Sequence, residues 1–133
     1  LYESLGLVPS ECYKGMTDYL LVYKTENEIK SINPDYKSLK EVNARGVIVT
    51  AEGSGGVDFV SRFFAPASGV DEDPVTGSAH TTLTPFWSER LGRKKLRAVQ
   101  LSKRKGYLEC ELKNDRVEIS GKVRIYLTGE IHI

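Results

Sequence analysis

The residues best suited to chemistry form one short stretch, Asp71–His80, which reads Asp-Glu-Asp-Pro-Val-Thr-Gly-Ser-Ala-His. Three carboxylates, a proline, a glycine and two hydroxyls stand directly before an apolar run that is typical of a helix. Backbone N–H groups at a helix N-terminus can bind an anion, whereas carboxylates beside them would repel one. The stretch therefore predicts a site for a small molecule that carries an anionic group and a group that an Asp can hydrogen-bond.

Plain helix capping is the alternative interpretation of the same residues. Thr76 and Ser78 are both suited to capping, and for Ser78 alone capping is favoured. Gly77 lets a ligand approach the backbone closely, and the following proline holds the side chain of Asp73 in one direction. Because one cap needs only one acceptor, capping does not account for three neighbouring acids.

Two further polar residues are expected to support the site. His80 falls in the first helical turn, where the positive end of the helix dipole disfavours its charged form. A neutral, packed imidazole is therefore favoured over a general base. Arg62 lies in an apolar strand and needs a partner if its guanidinium is buried. An Asp of the 71–73 loop is the expected partner, with Glu72 left open as another, which makes Arg62 a structural clamp rather than a substrate ligand.

The elements that must position these residues follow from hydrophobic patterning and turn residues. One helix is predicted over Pro34–Val42 and a longer one from Ala79 to Leu91, where Pro85 predicts a kinked or two-part helix. Strands are predicted at 19–23, 46–51, 57–64, 96–101, 107–112, 116–120, 123–127 and 130–133. This order predicts an α+β fold with antiparallel strands around one central helix, in a single domain spanning residues 1–133.

Composition narrows the class of protein. Nineteen basic and eighteen acidic residues give a net charge of +1, so no strong field attracts nucleic acid or a membrane surface. No apolar run is long enough to cross a membrane. Two cysteines, Cys12 and Cys110, lack a metal-binding or redox spacing, and Cys110 is expected to be a buried thiol. No metal is expected, and a reducing cytoplasm is the expected compartment.

Several motifs, in order, resemble the phenazine-biosynthesis PhzF-like family. The stretch Glu72–His80 is the most specific of them. The others lie on both sides of it, so the resemblance extends over essentially the whole chain. They are Arg45–Ala51, Ser61–Pro66, Gly69, Pro85-Phe86-Trp87, Gln100-Leu101-Ser102 and Ile119-Ser120-Gly121.

The resemblance implies the diaminopimelate-epimerase-like fold, in which two similar halves each wrap strands around a central helix and bind substrate between the helix starts. It implies an isomerase or epimerase that uses no cofactor. In this chain Asp73 would hydrogen-bond the substrate, Gly77 would offer its N–H to a substrate carboxylate, and Ser78 would hydrogen-bond within the site. Thr76, His80 and Arg62 would support them.

The resemblance covers only the C-terminal half of such a protein. The family's general acid/base Glu and its Gly-His pair belong to the N-terminal half, and no Gly-His pair occurs here. The chain also begins at Leu1 rather than Met. No catalytic residue is therefore assigned in this chain, which is expected to be inactive without its N-terminal half. The expected partners are a small-molecule substrate and either the N-terminal half or a second copy in a homodimer. The alternative is a non-catalytic domain that binds a small anion or associates with itself.

Overall fold

The computed structural model describes all residues, Leu1–Ile133, and contains one eight-stranded sheet. Its strands are β1 (Glu11–Lys14), β2 (Asp18–Val22), β3 (Gly46–Glu52), β4 (Phe59–Ala65), β5 (Val70–Glu72), β6 (Lys95–Gln100), β7 (Gly106–Lys113) and β8 (Arg116–Ser120). In space the order is β1-β2-β3-β4-β6-β7-β8, and β5 pairs with β4.

Four helices and one short 3₁₀ turn complete the fold. The helices are α1 (Tyr2–Leu5), α2 (Glu26–Ser31), α3 (Tyr36–Lys40) and α4 (Gly77–Leu91), and the 3₁₀ turn spans Pro66–Ser68. The two shorter capped helices begin as their sequences dictate: Thr25 and Glu28 form a reciprocal capping box at α2, and Asp35 caps α3.

Both faces of the sheet are buried at its central strands, each against its own helices, whereas more buried and more exposed residues alternate along much of β6, β7 and β8. Helix α4 covers one face, where Leu83 and Trp87 pack on a core that includes Phe59 and Leu96. Helices α1 to α3 cover the other face and contribute to a second core. Central strands buried on both faces have near-continuous apolar sequences, which explains why β3 is buried at every position except its last.

The α+β class with one main helix is confirmed, and the solved structures reported below share this fold. Two neighbouring strand pairs, β2–β3 and β4–β6, are nevertheless parallel, contrary to the antiparallel expectation. The physical reason is that each of these pairs is joined by a long connection containing a helix, which lets the chain cross over and enter the second strand in the same direction. Helices α2 and α3 lie between the first pair, and α4 lies between the second.

Helix α4 runs without interruption through Pro85, so of the two predicted forms, kinked or two-part, the two-part helix is wrong. Its apolar residues pack on the sheet along its length. One further expectation is wrong. The strands predicted at 123–127 and 130–133 do not form, since the chain makes no helix or strand beyond Ser120. No edge of this sheet pairs with those residues.

Candidate functional site

The stretch Asp71–His80 lies where the chain leaves the sheet and enters α4. Strand β5 ends at Glu72, and the backbone N–H of Asp73 donates to the carbonyl of Phe63 at 3.0 Å, which closes the sheet pairing. The loop then passes over the end of β6. Gly106 sits beneath it with no room for a side chain, because a Cβ there would lie 2.2 Å from Cγ2 of Val75. The sheet therefore fixes the position of the helix start.

Thr76 is the N-cap residue of α4 by position, but its side chain does not cap the helix. The hydroxyl donates to Oδ2 of Asp73 at 2.6 Å. The first helical hydrogen bond runs from the N–H of His80 to the carbonyl of Thr76. The N–H groups of Gly77, Ser78 and Ala79 have no acceptor in the chain. These three N–H groups, which we call the open amides, have no helical hydrogen bond, so the helix start can attract an anion. Gly77 and Ser78 are exposed, whereas Ala79 is only 2% exposed.

The surface around the open amides is accessible. Gly77 and Ser78 are exposed, and a Cβ built on Gly77 would have no atom within 4 Å. Asp73 is half-buried beside them and is held by Thr76. The predicted grouping of Asp73, Gly77 and Ser78 at one place is thus present in the geometry. Capping by Ser78, in contrast, is wrong, because Ser78 lies inside the first turn of α4.

His80 is a packed side chain in the interior, and its burial favours the neutral imidazole. It is 0% exposed, and burial lowers its pKa from the usual value. Its Nδ1 lies 2.7 Å from the carbonyl oxygen of Thr76, so Nδ1 carries the proton and donates. Its Nε2 is buried without a partner. A fully buried imidazole cannot reach a ligand at the surface, and His80 therefore acts as a support.

Arg62 forms a structural clamp, and of the acids considered for it the partner is Glu72 rather than one of the neighbouring aspartates. The pair is bidentate, with distances of 2.7 Å and 3.0 Å. A third guanidinium nitrogen donates to the carbonyls of Ile29 and Ile32 at the end of α2. This arrangement anchors β5 to β4 and to α2. Because the carboxylate of Glu72 is paired with Arg62, it is not free to bind a ligand.

One residue beside the site was not predicted. Arg45 donates from Nη2 to the hydroxyl of Ser78 at 3.2 Å and forms an ion pair with Asp18. It brings a positive charge to the open amides, although Asp18 offsets part of that charge. The only sequence signal was its place at the start of a motif, directly before the buried strand β3.

Two concave regions of the surface lie near the ends of α4, and neither encloses the candidate site. A hollow of about 520 Å³ borders the loop and is lined by Glu72, Pro74 and the turn Ser102–Arg104. A larger hollow of about 810 Å³ lies at the other end of α4, beside Arg93. No group of three or more His, Cys, Asp or Glu side chains is placed to hold a metal ion. None of the helices has the length and apolar character needed to cross a bilayer.

These observations define a class of protein: an α+β domain that presents an uncapped helix start and an adjacent carboxylate on an open surface. The sequence profile of the phenazine biosynthesis-like protein family, PhzC-PhzF, matches residues 3–130. The chain therefore belongs to this family.

Individual relatives agree with the family match. An uncharacterized isomerase of Pseudomonas aeruginosa is 50% identical over 133 residues, which are 100% of this chain and 51% of that protein. A second uncharacterized isomerase of the same organism is 48% identical and is covered to the same extent. The crystal structure of a PhzF-family protein of Enterococcus faecalis superposes with a TM-score of 0.89 at 44% identity, over 99% of this chain and 50% of that one. The chain spans about half the length of these relatives.

Proposed function

We propose that this chain is the C-terminal, substrate-binding half of a cofactor-independent isomerase that moves a proton on a small carboxylate-bearing metabolite. The observation that carries the proposal is the uncapped start of α4 with Asp73 held beside it. Family membership, with relatives named as isomerases, supports the reaction class. We further propose that residues 1–133 act as one domain.

The roles proposed for the residues follow from their chemistry. The open amides would bind a substrate carboxylate, and the partial positive charge of the helix start would stabilise it. The carboxylate of Asp73 would accept a hydrogen bond from an amino or hydroxyl group of the substrate. The hydroxyl of Ser78, oriented by Arg45, would add a further hydrogen bond. Asp73 would weaken, without preventing, the binding of a ligand with only an anionic group, so the pairing favours amino or hydroxy acids over simple anions.

Proton transfer requires a group that this surface does not supply. Proton removal next to a carboxylate needs a base within hydrogen-bond reach of the reacting carbon. His80 is fully buried, and Glu72 is paired with Arg62. We therefore propose that the general acid/base, a Glu, comes from an N-terminal half that closes over the open amides, and that the chain alone is inactive.

Solvent deuterium exchange tests this proposal. The chain would be co-expressed with the N-terminal half of a Pseudomonas aeruginosa relative, and incorporation of deuterium into amino and hydroxy acids would be followed by mass spectrometry. We expect exchange with the two halves together and none with the chain alone. Asp73→Asn should reduce the exchange rate by about ten-fold or more.

The matched control is Asp71→Asn, which makes the same chemical change in an exposed acid of the same loop. It should leave the exchange rate unchanged. Full-length relative serves as the positive control. Exchange by the full-length relative but not by the paired halves, or equal loss in the two Asn variants, would contradict the proposed roles.

A specific observation supports the second candidate function, self-association. Beyond β8, apolar side chains occupy alternate positions, a pattern typical of a strand. They are Val123, Ile125, Leu127, Ile131 and Ile133, and each is at least 82% exposed. An apolar segment this exposed is a candidate for pairing with another chain, either the N-terminal half or a second copy.

Sedimentation velocity distinguishes the two partners. If a second copy covers the segment, the purified chain should sediment as a dimer, and removal of residues 122–133 should convert it to a monomer. If the N-terminal half is the partner, the chain should be monomeric alone and should bind that half only when the segment is present. If the chain is monomeric and binds the N-terminal half equally well without residues 122–133, these residues are the contact surface for neither partner.

A further inference from the structure

Gln100 lies at the end of β6, directly beneath the start of α4, and is 0% exposed. Burial of a primary amide is costly unless its donors and its acceptor are satisfied. Its Oε1 accepts from the N–H of Thr76 at 2.8 Å. Its Nε2 donates to the carbonyl of Asp73 at 2.6 Å and to the hydroxyl of Thr76 at 3.1 Å. All three hydrogen bonds therefore go to the four residues that lead into α4.

These bonds change what Thr76 can do. A threonine at the N-cap normally accepts a hydrogen bond from an N–H of the first helical turn. Thr25 does this at the start of α2, where its hydroxyl accepts from the N–H of Glu28. At α4 the hydroxyl oxygen of Thr76 instead accepts from Gln100 and donates to Asp73. The same residue type at the same helical position thus caps one helix and leaves the other uncapped.

We propose that Gln100 is a positioning residue that keeps the open amides free for an anion by holding the hydroxyl of Thr76 away from them. Through the same hydroxyl it also fixes the direction of the Asp73 carboxylate. This inference rests on the proposed function, because it assigns a role to Gln100 in the anion site described there.

Loss of the Gln100 amide should let the Thr76 hydroxyl rotate. Its oxygen would then accept from an N–H of the first turn, as at α2, and would compete with a bound anion. Since an N-cap bond is of the same order as a single hydrogen bond to an anion, we expect anion affinity to fall by about three- to ten-fold. The folded structure would gain a cap at the same time, so the loss of affinity need not accompany a loss of helix.

The test is an NMR titration of the ¹⁵N-labelled chain with sodium sulfate, at constant ionic strength maintained with sodium chloride. The shifts of the Gly77, Ser78 and Ala79 amides report binding directly. We expect saturable shifts in the wild type and weaker affinity in Gln100→Met. In the double variant Gln100→Met/Thr76→Val we expect affinity to recover, because valine cannot cap a helix. Gln100→Glu, which keeps an acceptor for the Thr76 N–H, replaces Gln100→Met if that variant does not fold.

The possible outcomes separate the two proposals. If Gln100 were only structural, the double variant would bind as weakly as the single one or more weakly, and that result would overturn the inference. Equal affinity in wild type and Gln100→Met would also overturn it while leaving the anion site intact. No saturable shift in the wild type would contradict the anion site itself, and with it the role of Gln100.

Discussion

At the scale of single residues, Gly77 is a position where the residue that favours fold stability differs from the residue that favours the proposed ligand binding. It occupies the first position of α4 without positive φ, and a methyl group there would meet no atom within 4 Å. Glycine in a helix is less favourable than alanine. Fold stability therefore does not require glycine here, whereas the proposed close approach of a ligand to the open amides would.

We accordingly expect Gly77→Ala to raise the free energy of unfolding by about 0.5 kcal/mol while weakening sulfate binding in the same NMR titration. Gly106→Ala is the contrasting control, because its methyl group would clash with Val75. It should lower the free energy of unfolding by about 1–3 kcal/mol. Urea denaturation measures both changes. A Gly77→Ala variant that binds sulfate as tightly as the wild type would contradict the role given to this backbone.

His80 should make stability depend on pH. Its pKa is lowered in the folded chain by burial, so below about pH 6.5 the unfolded chain binds more protons than the folded one. The stability of the native state is therefore greatest above pH 6.5 and is lost as the pH falls. Between pH 6.5 and 5 we expect the wild type to lose up to about 1.4 kcal/mol per pH unit more than His80→Gln.

Urea denaturation at a series of pH values tests this expectation. His132→Gln removes the other imidazole, which is exposed, and it should follow the wild-type curve. Parallel curves for the wild type and His80→Gln would show that the buried imidazole does not titrate with unfolding.

At the scale of elements, the clamp between Arg62 and Glu72 holds three elements together. The guanidinium and the carboxylate are only 11% and 18% exposed, and the arginine also satisfies two carbonyls at the end of α2. Removal of one partner of a buried pair leaves the other without compensation. Arg62→Met should therefore lower the free energy of unfolding by about 2–4 kcal/mol.

The comparison for this prediction is Arg90→Met. Arg90 pairs with Glu11, and both side chains are about one-third exposed. Pairs of this kind contribute about 0–1 kcal/mol, so this variant should remain close to the wild type in urea denaturation. Similar losses in the two variants would argue against the clamp.

The elements themselves were largely predictable where the hydrophobic period was clear. Strand β8 was placed at its observed bounds, and β3, β4, β6 and β7 to within two residues at each end. Helix α2 was missed, although its Thr25–Glu28 capping box is a visible signal. Whether two strands pair parallel or antiparallel could not be predicted from their alternating hydrophobic pattern alone. It depends on what lies between strands, and the missed helix α2 lies between β2 and β3.

The location of the site could be predicted from the sequence, but the side chains that hold it in place could not. The acids and the glycine before α4 identified the position of the open amides. For Gln100 the only signal was its place in the motif Gln100-Leu101-Ser102, which indicates no role, because a lone glutamine at a strand end is usually a surface residue. Its three hydrogen bonds arise only when β6 is brought beneath the loop by the parallel pairing with β4. A contact of this kind depends on tertiary structure, which local sequence does not specify.

At the scale of the whole molecule, the site occupies an exposed surface rather than an enclosed pocket. The hollow beside Arg93 lies at the opposite end of α4, whereas Gly77 and Ser78 are exposed at the helix start. Ligand pockets usually enclose most of the ligand surface. A surface that binds one side of a small molecule suits one wall of a cleft, consistent with a chain that spans about half the length of its relatives.

The segment that follows β8 also determines how the chain should respond to a protease. Proteases cut extended backbone that is not held in a helix or sheet, and Lys122 and Arg124 offer trypsin two such bonds. Brief digestion should therefore remove the last eleven or so residues first and leave the sheet and α4 intact, as mass spectrometry would reveal. A bound N-terminal half that covers the segment would slow this cleavage. The cleavage rate therefore measures the fraction of chains that have the partner bound.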